Sequence, residues 1–140
     1  MHINYARIAL AAFAAMAAYL AYGFAMFAAW PSLQTEFLKY PSVYRPKDEM
    51  MKVMPFGMIA MFVSIVVVAV LYAKAAPTGA GIAFGASFGA WIGLFVVCVF
   101  VVHNWVNLNI GARLALYQAI AYFLQWVIVG AAIGLVYKPA

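Results

Sequence analysis

Apolar residues fill four long stretches of the chain, from about Tyr5 to Ala29, Val53 to Tyr72, Gly79 to Val102 and Leu114 to Tyr137, and polar positions gather between them. Each stretch is apolar around its whole helical circumference rather than along one stripe, the pattern of a helix buried in lipid or in a bundle. A bilayer core of about 30 Å takes on the order of 20 apolar residues per helix, so all four are long enough to cross it. The expected fold is all-α: a polytopic membrane protein in which residues 1–140 form one four-transmembrane-helix bundle. The first stretch greatly exceeds the h-region of about 7–15 residues found in a secretory signal, and it reads as a retained span.

The ends of the spans carry interfacial chemistry. Trp30 with Pro31, Tyr72 with Lys74, Trp105, and Tyr137 with Lys138 stand where aromatic rings and snorkelling cations anchor helices at the headgroups. Pro77, Thr78 and Gly79 predict a tight turn between the second and third spans. Four spans put both termini and this turn on one face, side A. The polar connection 30–52 and the junction from His103 to Arg113 then lie on side B. Within the connection, Leu33, Phe37, Leu38 and Tyr40 alternate against Gln34, Glu36 and Lys39, which predicts a short interfacial helix with Ser32 as its N-cap and Pro41 as its stop. Pro46, Asp48 and Glu49 predict that the next helix begins before the membrane, with Pro55 interrupting its hydrogen bonding amid Met50, Met51, Met54, Met58 and Met61.

Composition sharpens this picture. Of 140 residues, 70% are hydrophobic and 8% charged, whereas a soluble domain carries roughly 25% charged residues. The formal charge of +5 comes from too few groups to make the basic stripe that nucleic-acid binding needs, so no nucleic-acid partner is expected. Lys39, Arg45, Lys47, Lys52 and Arg113 on side B outnumber Arg7, Lys74 and Lys138 on side A, and the positive-inside rule then places side B in the cytoplasm. Glu36, Asp48 and Glu49 lie on the same side. A single cysteine, Cys98, forms no intrachain disulfide, and His2 and His103 are the only imidazoles, so no metal framework is expected.

Packing is the most explicit signal. Gly81, Gly85, Gly89 and Gly93 recur every fourth residue and share one face of the third span, while Gly130 and Gly134 repeat the device on the fourth. Lipid supplies no hydrophobic drive between helices, so small residues that let backbones approach closely supply much of the association. The first span offers Ala14, Ala18, Ala21 and Ala25 for the same purpose. These faces suit packing within the bundle, a homo-oligomer contact, or a slot for a flat ligand or lipid tail. Val70-Leu71-Tyr72-Ala73-Lys74 and Leu135-Val136-Tyr137-Lys138 are similar span endings, which a duplicated hairpin or two copies of an ordinary interfacial anchor would both produce.

The densest polar chemistry is the run His103-Asn104-Trp105-Val106-Asn107-Leu108-Asn109 before Arg113. These groups suit caps at the helix ends. They equally suit a side-B mouth in which His103, Asn104, Asn107 and Arg113 converge with Glu36, Asp48 or Glu49 on a polar headgroup or small anionic ligand. Gln118, Gln125, Tyr117 and Tyr122 form a polar ribbon on the fourth span, suited to hydrogen bonds across the bundle. No Asp, Glu, Lys or Arg lies in the interior of a span, and no nucleophile–base pattern or phosphate loop is present, so no enzyme activity is expected. No cofactor is expected either. His2 and His103 fall on opposite sides of the bilayer, and single-histidine ligation of a haem or pigment through His103 is the one arrangement left open.

The whole chain resembles the small four-helix bacterial integral membrane proteins classed as domains of unknown function. The resemblance rests on Asn4-Tyr5 opening the first span, Trp30 closing it, Asn107 and Asn109 in the junction, and Gly130-Ala131-Ala132-Ile133-Gly134 before Tyr137. It implies the four-span architecture and a bacterial inner-membrane location, and it carries over no functional residue. The expected role is that of a non-enzymatic accessory or structural subunit, packing against itself as a homo-oligomer, against membrane lipids or within a larger membrane complex. The alternatives are a small transporter or lipid- or ligand-binding module with its site at the end of the third span, and a haem- or pigment-binding subunit.

Overall fold

A computed structural model describes residues 3–138. Six helices follow in order: α1 (Tyr5–Ala29), α2 (Pro31–Leu38), α3 (Lys47–Ala75), α4 (Ile82–Val96), α5 (His103–Asn107) and α6 (Ala112–Val136), with a π-helical segment (Val97–Val102) joining α4 to α5 without a break. Four rods are long and apolar enough to cross a membrane: α1, α3, the continuous α4–α5 rod and α6. The chain is a multi-pass integral membrane protein with an all-helical fold.

Local chemistry sets several boundaries. The side chain of Asn4 accepts from the Arg7 amide at 3.0 Å and caps α1. Between α3 and α4 the Ala80 amide donates to the Pro77 carbonyl at 3.0 Å, and Gly79 takes φ +82°, where an L side chain would be strained. The interfacial helix differs from expectation at its start. Trp30, not Ser32, is its N-cap, because Pro31 with its preset φ occupies the first helical position. Its faces differ too: α2 buries Glu36 beside Leu33.

The helix α6 is the centre of the bundle, with α4 on one side and α1 on the other, while α3 packs mainly on α1. Glycine decides the closest approach. A Cβ on Gly85 would come within 3.0 Å of backbone atoms of Gly130 and Gly134, and a Cβ on Gly93 would lie 2.9 Å from the Phe123 carbonyl oxygen. Gly89 meets the Trp126 carbonyl and Gly134 meets Gly81 in the same way, so the glycine face of α4 is filled by α6 of the same chain. On α1 the packing face is Ile8, Ala11, Ala12 and Ala15, whereas Ala21 and Ala25 are exposed. Alanine occurs on every side of this helix, so spacing alone does not select the face that α3 and α6 cover.

At the side-A end, the two tyrosines of the similar span endings meet. Tyr72 and Tyr137 are both buried, with ring centroids 6.0 Å apart and edge to face, and Tyr72 also packs against Phe84 and Phe88. The first half of α3 is built differently. Its buried residues begin only at Ile65, and the residues before it, rich in methionine, are exposed or half-buried. α3 thus closes on the bundle near side A and leaves a gap towards side B.

Candidate functional site

The residues of the expected side-B mouth occupy two separate places. His103, the one imidazole among the described residues, is exposed at the start of α5, and its carbonyl accepts from Asn107 Nδ2 at 2.7 Å. The Asn104 carbonyl accepts from the Leu108 amide at 2.7 Å. These contacts close the helix on itself. His2 lies outside the described residues. Arg113 engages α2 and its own helix instead: its Nε donates to the Tyr117 hydroxyl at 3.0 Å and stands 3.4 Å from Glu36 Oε1. Glu36 is 4% exposed and also accepts from Lys39 Nζ at 2.6 Å. Asp48 and Glu49 stay exposed in the first turn of α3, and no ion pair among the described residues brings them to this cluster.

The ion-paired end of α2 holds a cap over the bundle. The Tyr40 hydroxyl accepts from the Gly111 amide at 2.9 Å, and Trp30 packs on Tyr117 with centroids 4.7 Å apart. Tyr44 accepts from Gln118 Nε2 at 3.1 Å. Burial pushes the Tyr44 hydroxyl above its ordinary value, Tyr40 adds to the shift and the Gln118 donor opposes it, so at neutral pH the phenol keeps its proton.

Beneath this cap lies a cleft of about 590 Å³ between α1, α2, the first half of α3 and α6. That volume falls within the range of about 300–1,000 Å³ typical of small-molecule sites. Each wall comes from one helical face. Tyr19, Tyr22, Gly23 and Met26 supply the α1 side, Met50, Met54 and Met58 the α3 side, and Gln118, Ala121, Tyr122 and Gln125 the floor on α6. Leu33 and Phe37 of α2 form the roof, and Lys47 stands at the mouth as the only charged lining residue among those described. From Lys47 to Met58 the cleft runs eleven positions along α3, roughly 16 Å.

Two buried carboxamides give the floor its polarity. Gln118 is 5% exposed and Gln125 6%, and Gln125 Nε2 makes a long contact of 3.4 Å to the Tyr19 carbonyl. Each glutamine donates one N–H within the protein, and both residues line the cleft. Tyr22 is tied to the wall by donating to the Ala121 carbonyl at 2.9 Å. A Cβ on Gly23 would touch only Gln125 Nε2, at 3.7 Å, so this glycine opens the cleft without a tight contact.

Sequence periodicity marks the glutamine ribbon and the methionine run separately. It carries no sign that they face one cavity, because that depends on where α1 and α3 part. The usable signal is the contrast between glycine at four-residue spacing on α4 and methionine at four-residue spacing on α3. Compared with known proteins, the chain matches no family model, no curated protein and no solved structure.

Proposed function

We propose that the protein is a non-enzymatic membrane module of the bacterial inner membrane that holds an elongated, largely apolar molecule in the cleft between α1 and α3, admitted sideways from the bilayer. The observation that carries this reading is a cleft of about 590 Å³ lined by methionine and aromatic side chains, with buried carboxamides on its floor. Methionine is flexible and polarizable, which suits a wall that adapts to an acyl or similar chain. The lining has Tyr and Lys but no Asp, Glu, His, Cys or Ser among the described residues, and this favours holding a ligand over transforming one. The ligand is assigned to the cleft rather than to the His103 end because the residues expected to converge there are split, with Asn107 bonded back to its own helix and Arg113 drawn to Glu36 and Tyr117. Association with a further subunit would use the outer faces, such as the Trp91 and Phe95 side of α4, since the glycine face is occupied within the chain.

Filling the cleft tests the reading. Met54→Trp with Met58→Trp places two rings in the slot at positions that carry no core packing. Native mass spectrometry of the protein released from mild detergent is expected to show one retained lipid-like adduct for the parent chain and none for the double variant, with unchanged melting. Equal adduct occupancy in both would refute the cleft as a binding site.

A further inference from the structure

Building on the cleft reading above, we infer that the occupant is an anionic glycerophospholipid of the surrounding bilayer, its phosphate at Lys47, its ester region beside Gln118 and one acyl chain between α1 and α3. Charge selects the head. Lys47 is the only charged side chain lining the cleft among the described residues, and it stands at the mouth, where a headgroup would lie. Around it Lys39, Arg45, Lys52 and Arg113 outnumber Glu36, Asp48 and Glu49, so the rim is positive overall. Glu36 is already paired with Lys39 and Arg113, while Asp48 and Glu49 are exposed and do not line the cleft. A cation at the headgroup level attracts anionic lipid, and this attraction falls off within a Debye length, so the residue closest to the lipid dominates.

Depth selects the rest of the molecule. Gln118 lies five positions along α6 from Arg113, roughly 7 to 8 Å further into the bilayer. Ester carbonyls lie just inside the phosphates, so the carboxamide of this nearly fully buried residue lines the cleft at their level and is a donor available to one of them. Below that level Phe24, Met54 and Met58 supply apolar walls for a chain. The gap along the first half of α3 then lets the lipid's second chain remain in the bilayer, so the molecule enters sideways without leaving the membrane. A free fatty acid has no ester for Gln118, and a neutral isoprenoid has no use for Lys47.

The test is a headgroup comparison on delipidated, detergent-solubilised protein, titrated with phosphatidylglycerol and phosphatidylcholine of identical chains and read by native mass spectrometry. The parent chain is expected to prefer phosphatidylglycerol about fivefold, the effect of one interfacial cation. Lys47→Gln is expected to bring the ratio close to one by weakening phosphatidylglycerol more than phosphatidylcholine, whose choline cation already offsets its phosphate. Lys52→Gln removes the same charge from a residue outside the cleft lining and should keep the preference. A parent ratio of one, or a Lys52→Gln loss equal to that of Lys47→Gln, overturns the inference, as does retention of oleate or an isoprenoid quinone in place of both phospholipids. The cleft-filling double variant separates the two levels. If it abolishes binding of both phospholipids while the ratio is one, the cleft reading stands and the anionic assignment falls. If it changes nothing, the cleft reading itself falls.

Discussion

A leucine at Gly85 will prevent α4 and α6 from closing on one another. Even a Cβ at this position would lie within 3.0 Å of the backbone of Gly130 and Gly134, and a backbone cannot rotate aside as a side chain can. Overpacking typically costs about 1–3 kcal/mol, and with no flexible neighbour to yield the expected loss lies at the upper end or beyond it. The contact being wedged apart is also the most extensive in the molecule. Purified Gly85→Leu should therefore melt far below the parent chain in detergent or fail to run as a single species in size-exclusion chromatography. Gly57→Leu is the matched control, since a Cβ there meets nothing within 4 Å and leucine favours the helix. If both variants melt like the parent chain, α4 and α6 do not meet through this face.

Tyr72→Ala should be nearly as severe, by the opposite physics. Tyr72 is fully buried among Phe84, Phe88 and Tyr137, with the three ring centroids 5.6 to 6.0 Å away. It is the point where α3, otherwise packed mainly on α1, also reaches α4 and the end of α6. Truncation leaves a cavity under three aromatic rings, and losses of about 3–5 kcal/mol are usual for a buried aromatic. Tyr72→Phe should retain nearly all stability, because the hydroxyl reaches only to 3.5 Å from the Gly81 carbonyl. Detergent melting of the two variants separates a packing role from a hydrogen-bonding one. A Phe variant as unstable as the Ala variant would assign the hub to the hydroxyl.

Features of this fold that depend on one helix at a time are legible in the sequence. Four long apolar runs, the Pro77-Thr78-Gly79 turn and the glycine series each express a single periodicity or a single backbone requirement. The α2 cap is half legible: its existence follows from the apolar alternation, but Pro31 displaces Ser32 from the N-cap, and burial of Glu36 depends on Arg113 arriving from a helix more than seventy residues later. The packing face of α1 is not legible, because alanine surrounds it. The cleft is the hardest feature to foresee. It is made by the first half of α3 standing off from α1 and α6, and the residues that mark it, Met54 on α3, Gln125 on α6 and Gly23 on α1, acquire a shared meaning only once α3 is seen to diverge from the bundle.

Photo-crosslinking reads out whether the cleft holds a lipid chain. Delipidated protein would be loaded with one equivalent of phosphatidylglycerol carrying a diazirine midway along one acyl chain, irradiated, and the adducts located by peptide mass spectrometry. Adducts are expected to concentrate on Met54, Met58 and Phe24, and to be lost in the Met54→Trp, Met58→Trp double variant. Adducts spread over the outer face of α4, on Trp91 and Phe95, with none in the cleft, would contradict a lipid chain held there.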